Sequence, residues 1–106
     1  MTDFEPAIQD LLSRIPLAKK VQLLSGEDAW TTLAIDEVGL RKMTLSDGPS
    51  GVRGPKWDER HKSLTLPSAT CTSATWDLEH LYAIGVISAN EARSKGVDVV
   101  LGPTIN

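Results

Sequence analysis

An α/β fold built on one βαβ unit, with two short helices ahead of it, is what this 106-residue sequence predicts. Three observations carry the prediction. Residues 78–95 place Leu78, Leu81, Tyr82, Gly85, Ala89 and Ala92 on one helical stripe. Directly after Gly96 comes the β-branched run Val97-Asp98-Val99-Val100-Leu101, stopped by Gly102-Pro103, as befits a buried parallel strand. Upstream, residues 42–46 run as a short strand into Asp47-Gly48-Pro49, where regular structure must end.

Each element has a local reason. Ile8, Leu11, Leu12 and Ile15 are spaced for an amphipathic helix over 6–15, and Pro6 is tolerated in a first turn, where its missing N–H costs nothing. After Pro16, Leu17, Val21 and Leu24 share a face and Gly26 suits a left-handed cap, which predicts a second helix. Residues 27–41 lose periodicity, with Trp30 as a packing anchor, and residues 56–76 show no clear period. In the long helix, Asp77 is a plausible N-cap and Gly96 a plausible C′ residue; small Gly85, Ala89 and Ala92 would let it lie close to a sheet.

Strand 42–46, helix 78–95 and strand 97–101 make a crossover whose strands are parallel and whose hand is right. Parallel sheets are covered on both faces, yet the chain stops five residues beyond the second strand. The expectation is therefore the opening portion of a larger α/β domain, with a small self-sufficient α+β domain as the alternative.

Composition narrows the function. Hydrophobic residues make up 41% and charged residues 24%, close to soluble globular averages, and the length argues for one domain at most. A net charge of −3 with no basic run beyond Lys19-Lys20 gives no footprint for nucleic acid. The start Met-Thr-Asp-Phe-Glu-Pro lacks a signal-peptide pattern and no apolar run approaches a bilayer span, so neither membrane nor export is expected and a cytoplasmic location is. A single cysteine, Cys71, excludes an internal disulfide and reads as a small buried residue.

In open α/β sheets and barrels, sites gather beyond the carboxyl ends of the strands, so the loops starting at Asp47 and Gly102 are the candidates. At a strand tip the Asp47 carboxylate can accept hydrogen bonds from two neighbouring hydroxyls, as a sugar ring offers, with Gly48 leaving room for a ligand. On the residues alone, an Asx-turn in which Asp47 caps its own loop is the stronger reading. Arg53 shares that loop and is expected to support it or tie down a carboxylate.

Other motifs fall away. Gly48, Gly51 and Gly54 fit neither the dinucleotide fingerprint nor a phosphate loop. Ser50 misses the nucleophile-elbow spacing. His61 and His80 belong to no metal-ligating array and read as surface residues, and the pairs Glu27-Asp28, Asp36-Glu37 and Asp58-Glu59 read as solvated faces.

Several segments taken in order resemble the amino-terminal portion of the family three glycoside hydrolases, the β-glucosidase group. They are Leu23-Leu24-Ser25-Gly26-Glu27-Asp28-Ala29-Trp30, Leu45-Ser46-Asp47-Gly48-Pro49-Ser50-Gly51-Val52-Arg53-Gly54, Leu66-Pro67, Ala74-Thr75-Trp76-Asp77, Glu91-Ala92-Arg93, Lys95-Gly96 and Leu101-Gly102-Pro103-Thr104-Ile105-Asn106. The resemblance implies that residues 1–106 are part of a (β/α) barrel of TIM-barrel type, the rest of which, with a second α/β-sandwich domain, lies outside this chain. It implies hydrolysis of terminal non-reducing β-D-glucosyl residues with retention, by two carboxylates roughly 5 Å apart. Neither carboxylate falls in this chain. Asp47 matches the family's substrate-binding aspartate, which favours the sugar-binding reading, and Gly48, Pro49, Gly51 and Arg53 match its loop scaffold. No metal or organic cofactor is implied, and the partner is a small β-glucoside or oligosaccharide. The competing expectation is a truncated, non-catalytic relic acting as a weak sugar-binding or interaction module. Two stretches depart from the family: Pro55-Lys56-Trp57-Asp58-Glu59-Arg60-His61-Lys62 and Ser68-Ala69-Thr70-Cys71-Thr72-Ser73.

Overall fold

Residues 4–103 are described by a computed structural model; the first three residues and Thr104-Ile105-Asn106 lie outside the described residues, and with them part of two sequence-based expectations. The chain divides into two compact units, Met1–Met43 and Thr44–Asn106, where its length argues for one.

In the first unit, Glu5 and Pro6 open helix α1 (Glu5–Arg14), and Arg14 closes it with an ion pair to Asp10 at 3.0 Å, the charge order that suits the helix dipole. Ile15, just past its end, is buried. Helix α2 (Leu17–Gln22) follows Pro16 but is shorter than expected. Gly26 does not cap it. Instead Gly26 bridges to Thr32, and a Cβ there would lie 2.4 Å from the Asp28 carbonyl oxygen, so close backbone approach is what the glycine permits. The Asp28 carboxylate accepts the Trp30 and Thr31 amides at 2.7 and 2.8 Å, closing the turn. These bonds, the Trp30 amide first, hold the Asp28 carboxyl below its ordinary range. Trp30 itself is half-buried, and Ile35 is the buried anchor of the stretch.

The second unit holds the βαβ arrangement. Strand β1 (Leu45–Ser46) pairs in parallel with β2 (Val99–Val100), Leu45 opposite Val99 and Ser46 opposite Val100. Both strands are shorter than the sequence suggests, chiefly at their starts: β1 ends at Ser46 as expected but pairs only from Leu45, and β2 keeps Val99 and Val100 of the expected 97–101. The Thr44 carbonyl accepts the Asp98 and Val99 amides, and the Ser46 carbonyl accepts the Leu101 amide.

Helix α4 (Leu78–Ser94) matches its expectation at both ends. Asp77 Oδ1 accepts the His80 amide at 3.0 Å, and Gly96 adopts φ +69° beyond the last turn. Its stripe is covered only in part. Ala92 packs with Val52 and Val97, joined by half-buried Val100, whereas Leu78 and Tyr82 are exposed and a Cβ on Gly85 would meet nothing within 4 Å. The helix therefore approaches the strands at its carboxyl end rather than along Gly85. A short helix, α3 (Ala69–Ala74), lies where no period was legible; Ser68 Oγ caps it by accepting the Cys71 amide. Cys71 is exposed, not buried, because a six-residue helix this polar has no inward face at that position. No described helix is long and apolar enough to cross a membrane.

Candidate functional site

Asp47 follows the last residue of β1 directly, so its side chain stands at the carboxyl tip of a parallel strand. The loop behind it is closed by the strand itself. Ser46 is fully buried; its hydroxyl donates to the Asp47 carbonyl and accepts the Gly54 amide, each at 2.8 Å. Within the ring so formed, the Gly51 amide donates to the Gly48 carbonyl at 3.1 Å, and the Arg53 amide to the Asp47 carbonyl at 3.3 Å. Gly48 has φ +107°, and a Cβ there would lie 1.9 Å from the Gly51 carbonyl oxygen. Gly51 has φ +145°, and its Cβ would lie 2.5 Å from the Leu64 carbonyl oxygen. No side chain fits at either position without moving backbone.

The Asp47 carboxylate does not cap its own loop. Arg53 Nε–H donates to Asp47 Oδ1 at 2.6 Å, and the guanidinium lies over the Trp57 ring with Cζ 4.2 Å from its centroid. The Asp47 side chain is half exposed and that of Arg53 about a quarter exposed. A carboxylate fixed at one oxygen and open to solvent can accept hydrogen bonds from ligand hydroxyls without losing conformational freedom when it binds.

Beneath this loop the chain is braced from α4. The Val52 carbonyl accepts hydrogen bonds from the Ser63 hydroxyl and from Lys95 Nζ. Lys95 Nζ also pairs with Glu91 at 3.2 Å, and Glu91 Oε1 accepts the Leu64 amide at 2.7 Å. That amide is the main reason the Glu91 carboxyl sits below its ordinary range; burial works against it, and Lys95 adds to it. Sequence reasoning missed Ser46, Ser63, Glu91 and Lys95 as supports, since Ser46 and Ser63 act across the closed loop, 8 and 11 residues away, and Glu91 and Lys95 reach Leu64 and Val52, 27 and 43 residues away.

The second candidate loop meets the first. A Cβ on Gly102 would lie 3.0 Å from the Pro49 Cβ, and a cis bond joins Gly102 to Pro103. Pro49, Gly102 and Pro103 line a cavity of about 440 Å³ with Leu66, Leu81, Ile84 and Ala89. Among the described residues its wall carries the hydroxyl residues Thr72 and Ser88 but no charged side chain. Asp47 is not among the described residues lining it, although Pro49 of the same loop is.

The remaining candidates take ordinary roles. His61 and His80 are exposed, and no cluster of three metal-ligating side chains occurs among the described residues. Asp58 is not merely solvated: Arg60 holds it through paired hydrogen bonds and keeps its carboxyl down to about 2. Asp36 and Glu37 sit exposed in a single 3-10 turn.

No family model matches the chain. A β-glucosidase of Rhizobium radiobacter is 43% identical over 100 residues, covering 93% of this chain and 12% of that protein. The Aspergillus fumigatus protein named "Probable beta-glucosidase J" is 43% identical over 100 residues, covering 94% of this chain and 12% of its own. Among solved structures, β-glucosidase from Kluyveromyces marxianus in complex with glucose superposes with TM-score 0.89 at 36% identity, covering 93% of this chain and 12% of that one. β-Glucosidase 3B from Thermotoga neapolitana in complex with α-D-glucose follows with TM-score 0.79 at 29% identity, covering 94% and 17%. The relatives and solved structures that the chain resembles are named β-glucosidases. More particularly, it is similar along nearly all its own length to proteins named as β-glucosidases, and it spans about 12% of the length of the curated relatives it matches.

Proposed function

We propose that these residues form the first portion of a (β/α) barrel in a retaining β-glucosidase, and that Asp47 grips hydroxyls of the terminal non-reducing β-D-glucosyl residue. Gly48, Pro49, Gly51 and Arg53 shape and hold its loop. The nucleophile and the acid/base carboxylate belong to polypeptide outside these residues, as does the second domain, so this chain contributes binding rather than bond cleavage. The observation that carries the reading is the Asp47 carboxylate: at a strand tip, half exposed, and fixed by Arg53 at 2.6 Å. Two adjacent sugar hydroxyls can donate to one such carboxylate, and burial of these bonds in a complete pocket would make them charge-assisted and strong. The homologues solved with glucose support the choice of ligand.

The experiment is a glucose titration of the 106-residue chain followed by amide NMR, with Asp47→Asn beside it. Shifts centred on residues 46–54 that weaken about tenfold in the variant are the expected result. Equal affinity in the two would return Asp47 to a structural role. Hydrolysis of an aryl β-glucoside by the chain alone would overturn the assignment of the catalytic pair elsewhere.

A further inference from the structure

Trp57 is 80% exposed, so burial in a core is not what fixes its position. Its ring instead covers the face of the Arg53 guanidinium, with Cζ 4.2 Å from the ring centroid. A cation at that distance over an indole is held by the ring quadrupole, and a planar guanidinium so stacked is left with in-plane motion only. The plane it keeps is the one in which Nε–H reaches Asp47 Oδ1. The turn bearing Trp57 is itself pinned, because Asp58 accepts the Arg60 side chain and the His61 amide bonds the Asp58 carbonyl. We infer that Trp57 is a positioning residue for the sugar site: its ring orients Arg53, and Arg53 orients the Asp47 carboxylate. This inference rests on the reading of Asp47 given above.

The test follows the Arg53 Nε–Hε signal and glucose affinity in the whole chain, for Trp57→Ala, Trp57→Leu and Trp57→Phe. Alanine and leucine are expected to speed Hε exchange and weaken glucose binding about three- to fivefold, whereas phenylalanine, which keeps a π face, stays within about twofold. Trp57→Leu preserves apolar bulk, so a leucine variant that behaves like wild type would overturn the stacking role. Weakened glucose binding with an unchanged Hε signal would also overturn it, since the ring would then be touching the sugar directly. Faster Hε exchange with glucose affinity unchanged in both Trp57→Ala and Asp47→Asn would keep the Trp57–Arg53 link but overturn its service to a sugar site, and it would fell the reading of Asp47 separately.

Discussion

Arg53 and Asp47, six residues apart, face each other across the loop at the tip of β1, with Nε 2.6 Å from Oδ1. The loop between them is closed by backbone and by Ser46, so the pair orients a carboxylate more than it holds the fold together. Because the Asp47 side chain is half exposed, solvent screens the pair and its share of stability is small. Arg53→Lys keeps the charge but loses the planar fork and the stacked face. The expected outcome is glucose affinity reduced about three- to tenfold with a thermal midpoint within about 3 °C of wild type. A drop of 10 °C or so would assign the pair to folding instead.

Two glycines should respond to alanine in opposite directions. At Gly48 a Cβ would lie 1.9 Å from the Gly51 carbonyl oxygen, on a backbone with φ +107°. Gly48→Ala is expected to cost about 2–4 kcal/mol, read as a lowered urea midpoint. Gly85 sits within α4, where a Cβ meets nothing within 4 Å. There alanine should stabilise by about 0.5–1 kcal/mol, because a helix interior disfavours glycine. A Gly85→Ala midpoint below that of wild type would mean the cleft lined by Gly85 is tighter than its geometry indicates.

The contrast between these glycines shows what was legible in the sequence. Asp77 and Gly96 announced the ends of α4 because capping is local: a side chain meets an amide three residues on. The strand followed by Asp47-Gly48 announced a candidate site for the same reason. Helix α3 has no apolar period, and only its Pro67-Ser68 start could have signalled it. The β strands shrank to two paired residues each, since pairing is decided by partners far along the chain. Trp57 stood out only as a departure from relatives, and its stacking on Arg53 appears when the loop closes in space.

Ser46 is the clearest case of a role hidden from sequence. It is fully buried, and its hydroxyl joins the Asp47 carbonyl to the Gly54 amide. Ser46→Ala removes both bonds and leaves the buried Gly54 amide without this acceptor. A loss of about 1–3 kcal/mol is expected, with faster hydrogen exchange at Gly54 than at Ala92 in the helix behind it. If exchange at Gly54 keeps its wild-type rate, the loop is held by its glycines and not by the serine.

Glu91 supplies a pH dependence of determined sign. The Leu64 amide, and to a lesser degree Lys95, hold its carboxyl below the ordinary range in the folded chain, against the opposing effect of burial. A carboxyl lowered by folding contributes stability that is present above its unfolded pKa, near 4.3 for a free glutamate, and that fades as pH falls through the lower folded value. Half-buried Asp58, held by Arg60 to about 2, follows the same direction, so the slope of wild type alone does not isolate Glu91. Glu91→Gln does. It retains an oxygen for the Leu64 amide but removes the charge facing Lys95, whose side chain is only 14% exposed. Urea unfolding between pH 3 and pH 7 should show the variant weaker by about 1–2 kcal/mol at pH 7, with the gap closing on acidification. Parallel curves across that range would place the stabilising contact in the backbone bond alone and leave the carboxylate charge without a part in it.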